Sequence, residues 1–208
     1  MSRAFEKTFN IFNDVDYLGV AQTLGAAGAM TLLATARGVF APQRVTITSA
    51  GDETGVDFTI TGLDQNGVSQ SEVVDGLDTD TAVSTKYYTA VTSVVADGAV
   101  ASATSVGLDG LMSFMMPADA YAIGHNVAVS LVSGGFTFAV SHGYVNPLKP
   151  GFAWTDQKWI TASGLTDKTV STDLYYTGGV FAFKLAVSVA DAGASVLKLT
   201  VLKERPGY

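Results

Sequence analysis

Few residues in this chain of 208 are of the types that carry enzyme chemistry. Cysteine is absent, and only two histidines occur, His125 and His142. A thiolate nucleophile and a cysteine-ligated metal are therefore excluded, and acid–base chemistry would depend mostly on carboxylates. Ser141 directly precedes His142, but adjacent residues of a strand point to opposite faces, so they cannot readily form a nucleophile–base pair. We predict that His142 caps the end of a strand and that His125 is a surface residue in a turn.

Two groups of carboxylates have a spacing that suggests cation binding. The segment 64–67, DQNG, partly fits a calcium loop, but the alignment places glycine and valine at the first and last ligand positions. A hairpin turn is the better interpretation, because Asn-Gly is the strongest short hairpin signal. Asp75, Asp78 and Asp80 lie within six residues, yet nothing supplies the fixed geometry of a cation site, which favours a solvated acidic loop. We expect no catalytic constellation, no metal and no cofactor.

Aromatic residues are the remaining candidates for a functional site. Trp154 and Trp159 lie close in the sequence, which suggests sugar stacking, a contact with another protein, or indoles buried near a sheet edge. A second group of aromatic residues lies near the N-terminus, and these side chains should pack either on their own domain or on a neighbouring subunit. We therefore predict six interface residues: Phe5, Phe9, Phe12, Tyr17, Trp154 and Trp159.

The elements that must position these residues follow from a two-residue period. Val45 and Ile47 face one side of a predicted strand, and the same alternation recurs over 56–60, 127–131, 136–140 and 181–189. Glycine-rich turns separate these segments, and convincing helical periodicity is missing. The pattern predicts an all-β fold, an antiparallel β-sandwich or jelly roll built as one larger sandwich or two small ones.

The chain organisation is predicted in three parts. Residues 1–40 suggest an extended N-terminal arm followed by a first strand or short helix. A composition shift at 107–110 then separates a first β-sandwich half or domain, 41–110, from a second, 111–208. The longest low-charge run, 18–40, is too rich in glycine, alanine and threonine to predict a membrane span, and its acidic flank is unlike that of a secretory signal.

Charge is distributed unevenly along the chain. Twelve basic and nineteen acidic residues give a formal charge of −7, which argues against nucleic acid and anionic membranes as partners. Residues 45–148 carry −10, whereas residues 1–44 carry +1 and residues 149–208 carry +2. The pattern is consistent with subunits that pack the ends of one copy on the middle of another. Alternatively, the acidic residues only solubilise a glycine-rich surface.

Several strand and turn segments resemble a pattern in virion structural proteins of tailed bacteriophages. The first half contains RVTITSAGD at 44–52, FTITGLDQNG at 58–67 and STKYYTAVTSV at 84–94. The second half contains NVAV at 126–129 and FTFAVSH at 136–142, and the likeness extends through Trp154 and the strand 196–202. The resemblance covers roughly residues 40–205.

This resemblance implies a non-enzymatic structural component of a virion, assembled in the host cytoplasm. We expect a head decoration or cement protein that stabilises the capsid shell by multi-copy contacts. The alternatives are a tail or neck component, adaptor-associated or fibre-anchoring, and, in another class, a carbohydrate-binding module. The expected partners are the major capsid protein or other virion subunits, together with further copies of the chain in a trimer or ring.

Overall fold

The computed structural model describes residues 4–37, 40–118, 122–177 and 180–204. Within these ranges the chain forms fourteen β-strands and three short 3-10 turns, which confirms the all-β prediction. No helix in this part of the chain is long and apolar enough to cross a membrane.

The strands are numbered in chain order. They are β1 Phe5–Leu24, β2 Gly28–Ala29, β3 Gln43–Ser49, β4 Asp57–Leu63, β5 Ser69–Asp75, β6 Thr81–Val83, β7 Ala90–Ala96, β8 Val100–Pro117, β9 Gly124–Ser133, β10 Phe136–Gly143, β11 Trp159–Thr161, β12 Thr172–Thr177, β13 Ala182–Ala190 and β14 Gly193–Glu204. The 3-10 turns are Ala34–Arg37, Trp154–Asp156 and Ser163–Leu165.

The chain divides into two compact units. Unit 1 contains residues 1–10, 113–191 and 195–208, and unit 2 contains residues 11–112 and 192–194. Strands β1 and β8 therefore contribute residues to both units. In unit 1 the strand order is β11-β10-β13-β8-β1-β14-β9-β12. The pairs β10–β13, β9–β12 and β9–β14 are antiparallel.

The core of unit 1 consists of the inward-facing half of each alternating strand. Phe138 of β10, Phe183 of β13 and Leu197 of β14 are no more than 1% exposed. Their polar and small neighbours along the strands face the other way, as the two-residue period predicts. These strands therefore form where the sequence alternation is clearest.

Unit 2 contains two packed layers. In one, β3 pairs with β6 and β8; the other is a four-stranded sheet of order β2-β7-β4-β5, called sheet B below. Val45 and Ile47 of β3 share one buried cluster with Phe58 and Ile60 of β4, so the two layers enclose a common core. This arrangement is the sandwich that the alternation predicts for this part of the chain.

The residues predicted as an N-terminal arm differ from that description. Residues 5–24 are strand β1, which pairs antiparallel with β8 through several register shifts. Phe9 contributes to the core of unit 1, and Ile11 and Leu18 are buried among the residues of unit 2. Because these side chains are apolar and spaced to face inward, burying them within the chain stabilises the strand there.

The turn at Asn66-Gly67 forms as predicted but by a different geometry. Gly67 has a φ of +76°, whereas Asn66 does not adopt a positive φ. The Asp64 carboxylate oxygen Oδ1 accepts hydrogen bonds from the backbone N–H groups of Asn66 and Val68, each 2.8 Å long. The turn is therefore an Asp-capped loop rather than a two-residue turn that requires positive φ at both central positions.

Candidate interaction surfaces

The predicted interface residues Phe5 and Phe9 lie in an aromatic group of unit 1. Phe9 is 2% exposed, and its ring centroid lies 4.9 Å from that of Phe114. Phe5 also stacks on Phe114, with ring centroids 6.4 Å apart, and remains 36% exposed. The Lys7 ammonium lies 4.6 Å from the centroid of the Phe114 ring, a cation–π distance. Of the two predicted residues, only Phe5 presents surface to a partner.

Phe12 and Tyr17 stack on each other in unit 2, with ring centroids 4.0 Å apart. The fully buried Gln43 side chain holds the backbone beside them. Its Oε1 accepts a hydrogen bond from the Phe12 N–H at 3.0 Å, and its Nε2 donates to the Phe12 carbonyl at 2.8 Å. Burial raises the pKa of the Tyr17 phenol. Both aromatic side chains are half-buried against their own unit, and their role at an interface stays a prediction.

Trp154 and Trp159 are brought together in unit 1, beyond the end of β10. Their rings stack with centroids 6.1 Å apart, and Phe152 meets Trp154 edge-on at 5.2 Å. The Lys184 ammonium lies 5.4 Å from the centre of the Trp159 ring. Burial lowers the pKa of Lys184, because an ammonium ion is less stable where water is excluded. We call Phe152, Trp154, Trp159 and Lys184 the aromatic patch.

A buried glutamine fixes the loop that carries this patch. Gln157 is 6% exposed; its Oε1 accepts from the Val145 N–H at 2.8 Å, and its Nε2 donates to the Val145 carbonyl at 2.7 Å. The side chain lies directly over Gly143, where a Cβ atom would come within 2.3 Å of the Gln157 carboxamide carbon. Glycine at 143 therefore leaves the space that the glutamine occupies. The loop is tied to the end of β10 by this side chain and by the pairing of β11 with β10.

The rest of this loop is unusually apolar for an exposed segment. Leu148 is 81% exposed, Tyr144 52% and Ile160 50%. Lys149 and Lys158 are also exposed between them. The one acidic side chain, Asp156, accepts a hydrogen bond from the Ala153 N–H at 2.9 Å. Loop 144–160 thus presents apolar side chains and two ammonium groups.

The two histidines lie in an aromatic cluster of unit 1, and both predicted placements are wrong. His125 is 1% exposed, because it belongs to β9 and its ring meets Phe183 edge-on at 5.3 Å. His142 lies within β10, paired with Ile160 on one side and Phe183 on the other, and does not cap the strand. Its Nε2 lies 3.1 Å from the Tyr144 hydroxyl, and burial lowers the pKa of the imidazole.

The acidic side chains of these segments accept hydrogen bonds within turns. Asp64 caps its own loop, and the Asp80 carboxylate accepts a hydrogen bond from the Thr81 N–H at 2.7 Å. Asp78 accepts one from the Thr79 hydroxyl at 2.9 Å. Over the residues that the structure describes, no group of three or more histidine or acidic side chains could hold a metal ion.

Sheet B carries a surface that the sequence interpretation missed. On its outer side, Asp57 of β4 pairs in register with Asp75 of β5, and the backbone N–H of Asp97 donates to the Asp57 carbonyl at 3.0 Å. The next row pairs Thr59 with Val73 and Val95, which are 58% and 39% exposed. We call these residues the acceptor face: Asp57, Asp75, Asp97, Thr59, Val73 and Val95.

Part of this face could be predicted from the sequence. Asp57 and Asp75 are equally distant from the turn at 64–68, so a hairpin necessarily places them opposite each other. The third strand, β7, returns only after an intervening loop and β6, and nothing local in the sequence specifies its register. The position of Asp97 beside Asp57, directly after β7, therefore becomes visible only in the fold.

Three charged side chains of unit 2 are held by hydrogen bonds or by an ion pair. Glu53 is 2% exposed, and its Oε1 accepts hydrogen bonds from the N–H and the hydroxyl of Ser102, each 2.6 Å long. The Arg44 guanidinium pairs with the Asp109 carboxylate at 2.5 Å. Burial raises the pKa of Asp109, and hydrogen bonds from the Leu111 N–H and from Arg44 oppose that rise.

Comparison with known proteins gives little beyond this geometry. No family model matches the chain, and no curated protein matches it. Structures of infectious bursal disease virus are similar at low scores. The Gt strain has 12% identity over 99% of this chain and 72% of that chain with a TM-score of 0.24, and the Gx strain has 11% over 100% and 73% with 0.26. The VP2 subviral particle has 12% identity over 99% of this chain and 72% of that chain, with a TM-score of 0.22. Scores of this size carry no argument about the fold or function of this chain.

Proposed function

We propose that this chain is a non-enzymatic structural subunit of a tailed-phage virion and that it works by contact with other virion subunits. The observation that carries the proposal is loop 144–160. It exposes Leu148, Tyr144 and Ile160 while Gln157 fixes its base. Exposed apolar side chains on a fixed scaffold are typical of an interaction site, because little conformational entropy is lost on binding.

The strand and turn segments that resemble tailed-phage virion proteins also support this function. Within the virion, we propose a head decoration or cement protein bound in many copies to the major capsid protein. Such a subunit gains strength from the number of contacts rather than from the affinity of each one. A tail or neck component is the alternative, and it would be present in few copies per particle.

The test measures binding of the full chain to capsid shells. Purified protein is added to shells that lack it, the shells are sedimented, and the bound chain is measured by densitometry against the major capsid protein. A fixed, saturating ratio of many copies supports the decoration role, and a few copies per particle supports the tail or neck role. No binding to shells, necks or tails contradicts the virion proposal.

A matched pair of variants tests the loop itself. Leu148→Ser removes an apolar side chain that is 81% exposed in loop 144–160, and Val132→Ser removes one that is 62% exposed elsewhere in unit 1. We expect Leu148→Ser to reduce binding about tenfold or more and Val132→Ser to leave it unchanged, since hot spots are confined to a few residues. Equal binding by both variants would exclude loop 144–160 as the contact.

The aromatic patch supports a second candidate function, glycan binding. Trp154 and Trp159 stack side by side near the Lys184 ammonium, and indole rings provide the apolar surface on which sugar rings pack. A glycan array probed with the full chain tests this function, with Trp154→Ala as the comparison. Glycan binding that Trp154→Ala abolishes supports the candidate, and an array without hits removes it.

A further inference from the structure

We propose that loop 144–160 of one copy of this chain docks on the acceptor face of a second copy, in a head-to-tail contact. This inference rests on the proposed function, since it names the partner for the loop that carries that function. The occupant follows from the charges and apolar side chains of the two surfaces, each of which lies within one unit.

The acceptor face brings three like charges close together. Asp57 of β4 lies opposite Asp75 of β5, and Asp97 directly follows β7. The Asp97 Oδ1 accepts a hydrogen bond from the Asp57 N–H at 2.8 Å, and all three side chains are exposed. Neighbouring strands hold such side chains about 5 Å apart, and like charges at that distance destabilise a sheet. Basic groups from a partner would relieve this repulsion.

Loop 144–160 supplies basic groups. Lys149 and Lys158 are exposed, and the loop's single carboxylate, Asp156, already accepts a hydrogen bond from the Ala153 N–H.

The units as a whole have opposite charge: unit 2 contains twelve acidic and three basic residues, and unit 1 contains seven acidic and nine basic residues. The formal charges are −9 and +2, so approach of unit 1 of one copy to unit 2 of another is favoured over like pairing.

Apolar side chains on the two surfaces also match. The acceptor face exposes Val73 and Val95 beside the aspartate row, and loop 144–160 exposes Leu148 and Ile160 beside its lysines. Contact between these side chains removes apolar surface of both copies from water. Each surface therefore has an apolar part and a charged part, and the charges are opposite.

The contact must join unlike surfaces. Two acceptor faces would bring aspartates together, and two loops would bring lysines together, so neither surface complements itself. A head-to-tail contact of this kind forms a ring when its rotation closes and an open filament when it does not. The proposed assembly is a closed ring, as suits a subunit that repeats around a virion symmetry axis.

The experiment uses charge exchange in the full chain. The acceptor variant carries Asp75→Lys with Asp97→Lys, and the loop variant carries Lys149→Glu with Lys158→Glu. Light scattering after size exclusion measures the mass over a concentration series at about 0.02 M and about 0.5 M salt, because salt weakens contacts between exposed charges. The wild type should associate, less at high salt, and each variant should associate at least about tenfold more weakly.

Mixing the two variants isolates the proposed contact. The glutamates of the loop variant can then dock on the lysines of the acceptor variant, while the unchanged loop of the latter docks on the unchanged aspartates of the former. Association should return in the equimolar mixture. The matched control, Asp78→Lys with Asp80→Lys, makes the same charge change in an exposed turn of unit 2 outside the acceptor face and should associate like the wild type.

Three results would overturn the inference. They are a wild type that stays monomeric at low salt, variants that associate as the wild type does, and a mixture that fails to recover association. A monomeric wild type that still binds capsid shells refutes this contact and leaves the proposed function standing. A self-associating chain that binds no virion part refutes the proposed function and retains the contact.

Discussion

The two units share a two-residue alternation but differ in the side chains that fill it. Unit 1 contains fifteen of the twenty-one aromatic residues and both histidines, with a formal charge of +2. Unit 2 contains six aromatic residues and a formal charge of −9. One unit thus concentrates large rings and the exposed apolar loop, and the other concentrates charge on a flat sheet face. The alternation determines the fold class, and the identity of the alternating residues determines which surfaces are available for contact.

Each unit also contains a buried glutamine with a structural role, and the two roles differ. In each, a buried glutamine makes two hydrogen bonds to the backbone of a distant residue: Gln43 to Phe12 in unit 2 and Gln157 to Val145 in unit 1. Gln43 fixes a strand inside the core, whereas Gln157 fixes the base of an exposed loop. The same chemistry therefore supports stability in one unit and presentation of a surface in the other.

Truncating a core ring should have the largest effect and should be similar in both units. Phe183→Ala in unit 1 and Phe58→Ala in unit 2 each remove a side chain that is no more than 1% exposed. We expect the free energy of unfolding to fall by about 3–5 kcal/mol in each case, as for other buried phenylalanines. Urea unfolding followed by circular dichroism measures the change. A loss under about 1 kcal/mol in one unit would show that its core is loosely packed.

Glycine substitutions should separate the units. A Cβ at Gly62 would lie 2.2 Å from the Ala90 carbonyl oxygen, which is backbone and cannot move aside, whereas a Cβ at Gly143 would meet the Gln157 side chain. We expect Gly62→Ala to lower the melting temperature strongly, at a cost of about 3 kcal/mol. Gly143→Ala should cost less and should displace loop 144–160, which limited proteolysis would detect. Equal thermal shifts with an unchanged digestion pattern would contradict this comparison.

The glutamine pair provides a finer comparison. Gln43→Ala leaves the Phe12 N–H and carbonyl without partners in the core, and we expect a cost of about 2–3 kcal/mol in unfolding free energy. Gln157→Ala should cost less, because water can reach the exposed loop, and it should weaken binding through loop 144–160. The matched case nearer the surface is the half-buried Gln22, which makes the same two bonds to Thr31, at 2.9 and 2.8 Å. Its alanine variant should change stability by less than about 0.5 kcal/mol.

The smallest effect concerns pH and only unit 1. Burial lowers the pKa of His142, so the folded state favours the neutral imidazole. The stability that this provides is complete above the unfolded pKa of about 6.5 and is lost as the pH falls from there towards the folded pKa. Thermal melts between about pH 8 and pH 5 should show a small decline that His142→Phe reduces. An unchanged slope in that variant would assign the pH dependence to other groups.

The sequence predicted those features that depend on neighbouring residues. The strands over 136–140 and 181–189 form as their alternation predicts, and the turn at Gly67 forms because glycine accepts a positive φ. The prediction for His125 is wrong because Gly124 suggests a turn, whereas Gly124 and His125 are the first two residues of β9. Its burial depends on Phe183, far along the chain, and no local pattern specifies that contact.

The candidate surfaces were predictable in part. Trp154 and Trp159 were singled out from the sequence, and the structure stacks them, but Lys184 joins them only because β13 pairs with β10. The Asp57–Asp75 pair follows from one hairpin, whereas Asp97 directly follows β7, a strand that returns from outside this hairpin. The pairing register of strands that are distant in the sequence is set by many contacts together, and local sequence patterns do not specify it.

The division of the chain has a consequence for its synthesis. Unit 2 is continuous over residues 11–112, apart from residues 192–194, whereas unit 1 is assembled from three separated segments. A ribosome therefore releases nearly all of unit 2 while unit 1 still lacks β9 to β14, and domains fold as their residues emerge. The Glu6 carboxylate, which pairs with the Lys198 ammonium at 3.0 Å, must wait for almost the whole chain. We expect unit 2 to fold on nascent chains before unit 1, which closes only once β14 has emerged, so the apolar loop is presented last.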